Sequence, residues 1–307
     1  MKSLMWFRND LRMDDNPALR EACKSSDEVH AIYIYSQNQN KKHNEANCKT
    51  EFFIENLKAL EIELSKINIP LNIINSEGFK DNSELISNYV KNYSLNKVFW
   101  NNQFGNDESE RDLSVQNHLK GKNIEFENFD EQVVFAPGSI LTGEGKPYSV
   151  FTPFKRRWIE NFNLDLLDIE FEYTKKNATK TESNVNEFDF QFKKINQVDM
   201  SLWPAGEVEA LSRLKAYLDK NIFRYAQDRN DPIVDGTSRL SAYLASGIIS
   251  PKRCILEALK INNFELDAGE KGIVKWIDEI VWREFLAALK ASIALNLDCL
   301  RSRICSG

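Results

Sequence analysis

The sequence is poor in the residues that build metal sites and disulfide frameworks. Its 307 residues include three histidines and five cysteines, which are scattered and form no Cys-x-x-Cys pair. We therefore expect neither a zinc site nor a disulfide framework, because both need ligands at short, regular spacing. No apolar run approaches the roughly 18 residues that suggest a membrane span, so we expect no membrane partner.

Glycine is also scarce, and Gly78 is the only one before Gly105. This excludes a G-x-G-x-x-G loop after the first strand and P-loop chemistry. The formal net charge is -6, whereas a protein that coats itself in nucleic acid would be basic. DNA or RNA could therefore bind only at a local patch. Arg8 and Asp10 interrupt the N-terminal apolar run before a signal-peptide core could form, which predicts a cytoplasmic location.

Five short runs rich in Val, Ile, Phe, Tyr and Trp alternate with helix-like segments before residue 130. Such runs are typical of buried parallel strands, and their alternation with helices predicts an α/β fold with helices on both faces. Ligands of these sheets bind beyond the carboxyl ends of the strands. The predicted strands are Ser3–Arg8, Val29–Tyr35, Leu71–Asn75, Lys97–Asn101 and Ile124–Asn128, and the predicted helices are Pro17–Lys24, Lys49–Lys66, Asn82–Tyr93 and Asp107–Lys120.

The remainder of the chain predicts a loop, a linker and a helical region. Proline and glycine mark a loop at Asp130–Tyr148, and residues 161–200 have the acidic, aperiodic composition of a linker that crosses the surface. We expect an α/β domain at residues 1–130, a linker at 131–200, a helical domain at 201–285 and an atypical tail at 286–307. From Glu207 onward the helical spacing predicts a helix whose apolar face contains Val208, Leu211, Leu214, Tyr217 and Leu218. Further helices are predicted at Arg239–Ser246, Lys252–Lys260 and Ile273–Leu289.

Two motifs concentrate charge. W-F-R-N-D-L-R-M-D-D-N at residues 6–16 places two arginines and three acids at the carboxyl end of the first strand. They form either a ligand rim or a buried ion-pair network, and physical chemistry alone favours the network. F-T-P-F-K-R-R-W at residues 151–158 contains a basic run, which is either a solvated face or a weak DNA contact.

A third motif, at residues 236–241, combines hydroxyls with a cation. Gly236-Thr237-Ser238 leads into an apolar periodic run and predicts a helix N-cap. The hydroxyls, with the cation of Arg239, would suit a pyrophosphate, because a helix start binds anions well. Plain helix capping explains the same pattern without a ligand.

The fourth motif combines tryptophan, carboxylate and arginine on a helix at residues 276–285. Trp276, Glu279 and Arg283 stand at helical spacing on one face, and Trp282 lies on the same side. Indole stacks on a flat base, and a carboxylate can hydrogen-bond the polar edge of that base. The alternative is a pair of core tryptophans beside a salt-bridged stripe.

In this order, the four motifs resemble those of the DNA photolyase and cryptochrome family. The shared patterns are W-F-R-x-D-L-R-x-x-D-N, V-F-T-P-F-K, T-S-x-L-S and W-x-x-E-x-x-W-R-E-F. The resemblance implies a parallel five-stranded Rossmann-like sheet followed by an all-helical FAD-binding domain. That domain is incomplete here, because the resemblance ends at Phe285.

The resemblance also implies roles for single residues. Glu279 would hydrogen-bond the damaged base pair and Trp282 would stack on it, so these two are the implied catalytic residues. Asp278 stands where we expect Asn. The implied FAD-binding residues are Tyr225, Thr237, Ser238, Arg239, Leu240, Ser241 and Trp276, and the implied DNA contacts are Arg229, Glu279, Trp282 and Arg283.

A weaker group of residues in the first domain resembles the folate site of the family. His43, Asp107 and Glu108 match the region that holds a 5,10-methenyltetrahydrofolate antenna, and Glu108 matches the carboxylate that binds the pterin. Asp107 replaces an expected Asn. The alternative is that these are ordinary surface residues in loops.

The implied function is light-dependent repair of cyclobutane pyrimidine dimers in ultraviolet-damaged DNA, the deoxyribodipyrimidine photo-lyase reaction. Reduced FAD would donate an electron to a dimer that is flipped out of the duplex. We expect a monomer. A cryptochrome-type blue-light photoreceptor and a non-enzymatic pterin- or nucleotide-binding module remain as alternatives.

The tail from Leu286 to Gly307 contains no aromatic residue and no Glu. It is either an ordinary amphipathic helix or sequence foreign to the family. Because the segments that grip the flavin in the family do not follow, we expect this chain to bind FAD poorly and to expose apolar surface.

Overall fold

The structure, a computed structural model, describes residues 1–191 and 199–305, with side chains as far as residue 292. Its strands are β1 (Lys2–Phe7), β2 (Glu28–Tyr35), β3 (Leu71–Asn75), β4 (Lys97–Asn101) and β5 (Glu125–Phe129). They form one parallel sheet in the order β3-β2-β1-β4-β5. The predicted α/β fold is therefore confirmed, and each predicted strand boundary lies within one residue of the observed one.

The helices of the first part also follow the prediction, with boundaries within two residues. The one that sequence patterning missed, α2, buries no side chain and so carries no apolar period. Among the described residues the α-helices are α1 (Pro17–Ser25), α2 (Gln37–Lys42), α3 (Asn47–Ser65), α4 (Asn82–Asn92), α5 (Asn106–Gly121), α6 (Phe151–Asn161), α7 (Glu207–Lys220), α8 (Tyr225–Asp228), α9 (Ser241–Ala245), α10 (Pro251–Ile261) and α11 (Lys271–Cys305).

Strand β1 occupies the centre of the sheet because its side chains are apolar on both faces. Leu4 and Trp6 join a core cluster with residues of α4 and α5. Met5 and Phe7 point to the other face and pack in a cluster with residues of α1 and α3. This alternation is the two-residue period of a strand covered by helices on both sides.

The predicted linker does more than cross the surface. The backbone N–H of Lys176 donates to the carbonyl of Ile67 at 2.9 Å. The Asn184 side chain accepts from the N–H of Ile73 at 2.6 Å and donates to its carbonyl at 3.1 Å. Val185 is buried. The segment therefore covers the free edge of β3, which would otherwise leave backbone groups unpaired; residues 192–198 of the predicted linker lie outside the described residues.

The second part of the chain is helical, as the resemblance implied, with two corrections. Val208 is 67% exposed, whereas Ala210 is fully buried, so the predicted inward face of α7 is wrong at its first position. The buried face runs through Ala210, Leu214, Tyr217 and Leu218. Helix α11 extends beyond the predicted Ile273–Leu289 at both ends. None of the described helices is long and apolar enough to cross a membrane.

Candidate functional site

Helix α11 carries the residues of the fourth motif into three different environments. Trp276 is buried and packs on Tyr217, with ring centroids 5.6 Å apart. Trp282 is 36% exposed and stacks on Phe151, with centroids 3.9 Å apart and planes at 14°. One tryptophan therefore belongs to the core, while the other presents an indole surface at the edge of the protein.

Glu279 lies between the two tryptophans on α11 and is bound to a cation. Its Oε1 accepts a short hydrogen bond from Nη1 of Arg229, which lies just after α8. This hydrogen bond raises the pKa of the Arg229 guanidinium. The Nζ of Lys275 lies 3.6 Å from the same carboxylate oxygen. The structure thus brings together two of the implied DNA contacts and adds Lys275, which sequence reasoning had not singled out.

Arg283 points away from this surface and into the junction of the two parts. Its Nη1 donates to the carbonyl of Gln132, and its Nη2 donates to the carbonyl of Leu244 at 3.4 Å. Burial lowers the pKa of the guanidinium. In this conformation Arg283 ties α11 to the loop after β5 instead of lying beside Glu279.

The predicted N-cap at Gly236-Thr237-Ser238 is wrong. Arg239 has φ +52°, in the left-handed region, so the helix cannot begin before it. Helix α9 starts at Ser241, and its N-cap is the buried Leu240 without a side-chain hydrogen bond.

The segment that contains Thr237 and Ser238 is instead an irregular loop against α8. Thr237 is exposed, and Ser238 is half-buried. Arg239 pairs with Asp235 at 2.9 Å. A Cβ atom on Gly236 would collide with Asp228 at the end of α8, so the close approach requires glycine here. The loop therefore packs against the helix that begins with Tyr225. The groups in the loop that could donate hydrogen bonds to an anion are the hydroxyls of Thr237 and Ser238 and the guanidinium of Arg239.

A cleft opens beyond the carboxyl ends of β1 and β2, where the fold predicts a ligand. His43 and Glu108 both line it, together with Tyr33, Tyr35 and Phe53. Two of the three residues predicted to bind folate thus face one aromatic-rich cleft.

Asp107, the third of those residues, is engaged by a cation. Its Oδ2 accepts a hydrogen bond of 2.5 Å from Nζ of Lys42 and lies 3.5 Å from Nε2 of His43. The hydrogen bond from Lys42 lowers the pKa of Asp107. The carboxylate is therefore balanced by its neighbours before any ligand binds.

The lining of the cleft includes two arginines, Arg8 and Arg111, of which the sequence motifs contained only Arg8. Arg8 and Arg111 both donate to Oδ1 of Asp112 at 2.7 Å. Arg8 lies over the Trp6 ring at 4.3 Å, and burial lowers its pKa to about 10. Arg111, on α5, carries no local sequence signal, because its proximity to Arg8, 103 positions earlier in the chain, cannot be predicted from sequence spacing.

Arg12 of the first motif belongs to the network that joins the two parts of the chain. Its Nη2 donates to Glu131 at 2.5 Å, and its Nη1 donates to the carbonyl of Gly247 at 2.9 Å. Arg12 is 1% exposed. Of the two interpretations of this motif, the buried ion-pair network describes Arg12, while Arg8 also lines the cleft.

Comparison with known proteins identifies the family of the chain. Residues 3–175 match the family model for DNA photolyase. Deoxyribodipyrimidine photo-lyases of Escherichia coli and Salmonella typhimurium are each 32% identical over 283 residues, covering 92% of this chain and 59% of the relative. The chain thus spans about three fifths of the length of these relatives.

Solved structures show the same fold. A bacterial class III photolyase from Agrobacterium tumefaciens aligns with a TM-score of 0.79 at 24% identity, over 94% of this chain and 59% of that one. A Synechocystis cryptochrome aligns with a TM-score of 0.77 at 20% identity, over 95% and 62% of the two chains. With the family model covering more than half of the sequence, the chain belongs to the DNA photolyase family.

Proposed function

We propose that this chain supplies the antenna domain and the first part of the FAD-binding domain of an enzyme that repairs cyclobutane pyrimidine dimers in DNA under light. The observation that carries the proposal is on α11. Glu279 and Trp282 stand one turn apart and offer a carboxylate and an exposed indole face beside Arg229. These are the groups needed to hydrogen-bond a base edge and to stack on a base.

The loop before α9 supports FAD as the cofactor. Its hydroxyls at Thr237 and Ser238 and the cation of Arg239, with the hydroxyl of Ser241 at the start of α9, suit a pyrophosphate. Arg239 is half exposed and pairs with the surface carboxylate of Asp235. Tyr225, Leu240 and Trp276 would supply the apolar wall. When bound in its reduced form, FAD supplies the electron that splits the dimer on excitation by light.

Binding of the damaged base requires a rearrangement by residues of this chain. The Glu279 carboxylate has to exchange its bond with Arg229 for a hydrogen bond to the base edge, which frees the guanidinium for a DNA phosphate. Trp282 offers its exposed face to the flipped base while Phe151 supports the opposite face. These contacts offset the few kcal/mol that flipping costs.

We also propose a 5,10-methenyltetrahydrofolate antenna in the cleft of the α/β domain. The cleft combines aromatic walls with the imidazole of His43 and the carboxylate of Glu108, a set that matches the apolar faces and polar edge of a pterin. A cytoplasmic monomer is our proposal for the state of the protein, with domains bounded as expected at residues 130, 200 and 285.

The test is repair by the purified chain. The chain is supplied with a large excess of FAD, to offset the poor binding expected of an incomplete FAD-binding domain. The flavin is then reduced, an oligonucleotide that contains a single dimer is added, and the mixture is exposed to blue light. We expect dimer loss that falls at least about tenfold in Glu279→Gln, because a charge-assisted hydrogen bond is lost. Glu270→Gln, at an exposed position just before α11, is the matched control.

The alternatives are separated by this experiment together with the absorption spectrum of the chain as purified, which shows whether flavin or folate is retained. Retained flavin without dimer splitting would indicate a cryptochrome-type photoreceptor. Folate retention without flavin would indicate a pterin-binding module. Equal repair by the two glutamine variants would contradict the role of Glu279.

A further inference from the structure

Asp278 lies beside the proposed DNA-binding carboxylate and holds two lysines. Its Oδ1 is 2.5 Å from Nζ of Lys155, which lies on α6. Its Oδ2 is 3.9 Å from Nζ of Lys275, one turn earlier on α11. The side chains of Asp278 and Lys155 are 13% and 25% exposed. The aspartate therefore holds a lysine from another helix at the partly exposed border of the site.

These residues form one group with the Glu279 pair. We call Lys155, Arg229, Lys275, Asp278 and Glu279 the Asp278 cluster. It contains three cations and two carboxylates, and each cation lies within ion-pair distance of a carboxylate of the cluster. The cluster is thus positive by one charge in a protein whose formal net charge is -6.

The cluster adjoins two surfaces that a nucleic acid could use. A groove between α8 and α11 is lined by Arg229, Lys271, Lys275 and Asp278. On the other side, Lys155 lies one turn along α6 from Phe151, on which Trp282 stacks. A strand that placed a base on Trp282 would therefore pass its phosphates near these cations.

We propose that Asp278 lowers the affinity of this surface for DNA phosphates. Its carboxylate binds Lys155 and so competes with a DNA phosphate for that lysine. This inference rests on the proposed function, since it takes the α11 surface as the side that meets DNA. A phosphate can gain Lys155 only by displacing the carboxylate, which offsets part of the electrostatic gain. The same carboxylate keeps the lysine in place when DNA is absent.

The neutral variant Asp278→Asn tests the proposal, because it keeps the shape of the side chain and releases the lysine. The full chain and its variants are titrated with undamaged, fluorescently labelled single-stranded DNA at several salt concentrations, in the dark. We expect Asp278→Asn to bind about two- to fivefold more tightly than wild type at near-physiological salt. One additional phosphate contact should steepen the slope of log K against log salt by about 0.7.

Two further variants separate ion-pair release from a general change of charge. Asp267→Asn removes the same charge from an exposed position in the same groove, where the described residues show no ion pair between Asp267 and a lysine. We expect its salt slope to equal that of wild type. Lys155→Ala by itself should change the affinity for DNA little. Combined with Asp278→Asn, it should abolish the gain in DNA affinity that Asp278→Asn produces.

The outcomes are distinct from those of the repair experiment, because DNA binding in the dark needs neither flavin nor a dimer. Equal slopes for Asp278→Asn and Asp267→Asn would overturn the proposal, as would a gain that persists without Lys155. Absence of DNA binding by every variant at low salt would also overturn it. A thermal melt that matches wild type confirms that each variant is folded.

Discussion

The carboxylate of Glu284 accepts a hydrogen bond of 2.8 Å from the indole N–H of Trp158, which lies 126 positions earlier in the chain. The same carboxylate accepts hydrogen bonds from the backbone N–H groups of Val134 and Phe135, at 2.8 and 3.0 Å. Glu284 is 5% exposed. It thus joins α11, α6 and the loop after β5, and holds in place the helix that carries Glu279 and Trp282.

Replacing Glu284 by alanine should destabilise the protein strongly. Two buried donors and one part-buried donor would lose their acceptor, and each unsatisfied buried donor costs about 1–3 kcal/mol. We expect the free energy of unfolding, measured with urea, to fall by about 3 kcal/mol or more. Glu160→Ala is the control, because Glu160 forms an exposed pair with Arg157 whose loss costs about 0.5 kcal/mol. Equal losses in the two variants would contradict this role.

The same residue should make stability depend on pH. Burial raises the pKa of Glu284 from 4.5 to about 7, so between these values the folded protein holds a proton that the unfolded chain has released. The stabilisation from this proton is fully present below the unfolded pKa and is lost as pH rises through the folded pKa. Above pH 7 the group's contribution no longer changes with pH.

The measurement compares wild type with Glu284→Gln, which cannot titrate. Between pH 5.5 and 8 the unfolding free energy of wild type should fall by about 2 kcal/mol relative to the variant. Glu160→Gln should keep a constant difference from wild type over the same range. A constant difference for Glu284→Gln as well would show that this carboxyl does not titrate in the folded protein near pH 7.

The contact between Gly247 and Asn9 should tolerate no side chain. Gly247 has φ +66°, and a Cβ atom there would collide with the backbone carbonyl of Asn9. Gly145 has a similar φ of +72° but open space around it. We expect Gly145→Ala to cost about 1 kcal/mol of stability from backbone strain alone, and Gly247→Ala to cost at least about 2 kcal/mol. Similar melting temperatures for the two variants would argue against a tight junction at Gly247.

Glu108 should contribute to folate binding if the antenna proposal is right. Loss of a charged hydrogen-bond acceptor should weaken binding of 5,10-methenyltetrahydrofolate by about tenfold or more in Glu108→Ala. Glu125→Ala is the control, because Glu125 begins β5 at the amino end of the sheet, away from the cleft. Fluorescence titration with the folate measures both. Equal affinities would remove Glu108 from the site.

Local patterns predicted the first part of the fold because its elements are locally consistent. Strand β1 is apolar on both faces, and Leu57, Leu60 and Leu64 of α3 repeat at helical spacing. Patterning failed where local and tertiary preferences separate. Arg239 takes a left-handed conformation that moves the start of α9, and Val208 belongs to an apolar pattern yet lies in solvent. In both places the chain follows tertiary contacts over intrinsic preference.

The candidate site divides in the same way. The alternation of apolar runs with helix-like segments predicted the sheet. The motifs and their order indicated the family and the choice of Glu279 and Trp282, and a separate resemblance indicated His43 and Glu108. Only the tertiary structure decided which side chains meet: that Arg229 pairs with Glu279, that Lys155 of α6 is held by Asp278, and that Arg283 turns inward to Gln132. The physical reason is that sequence periodicity fixes the face of a helix, whereas an ion pair across two helices depends on how the elements pack.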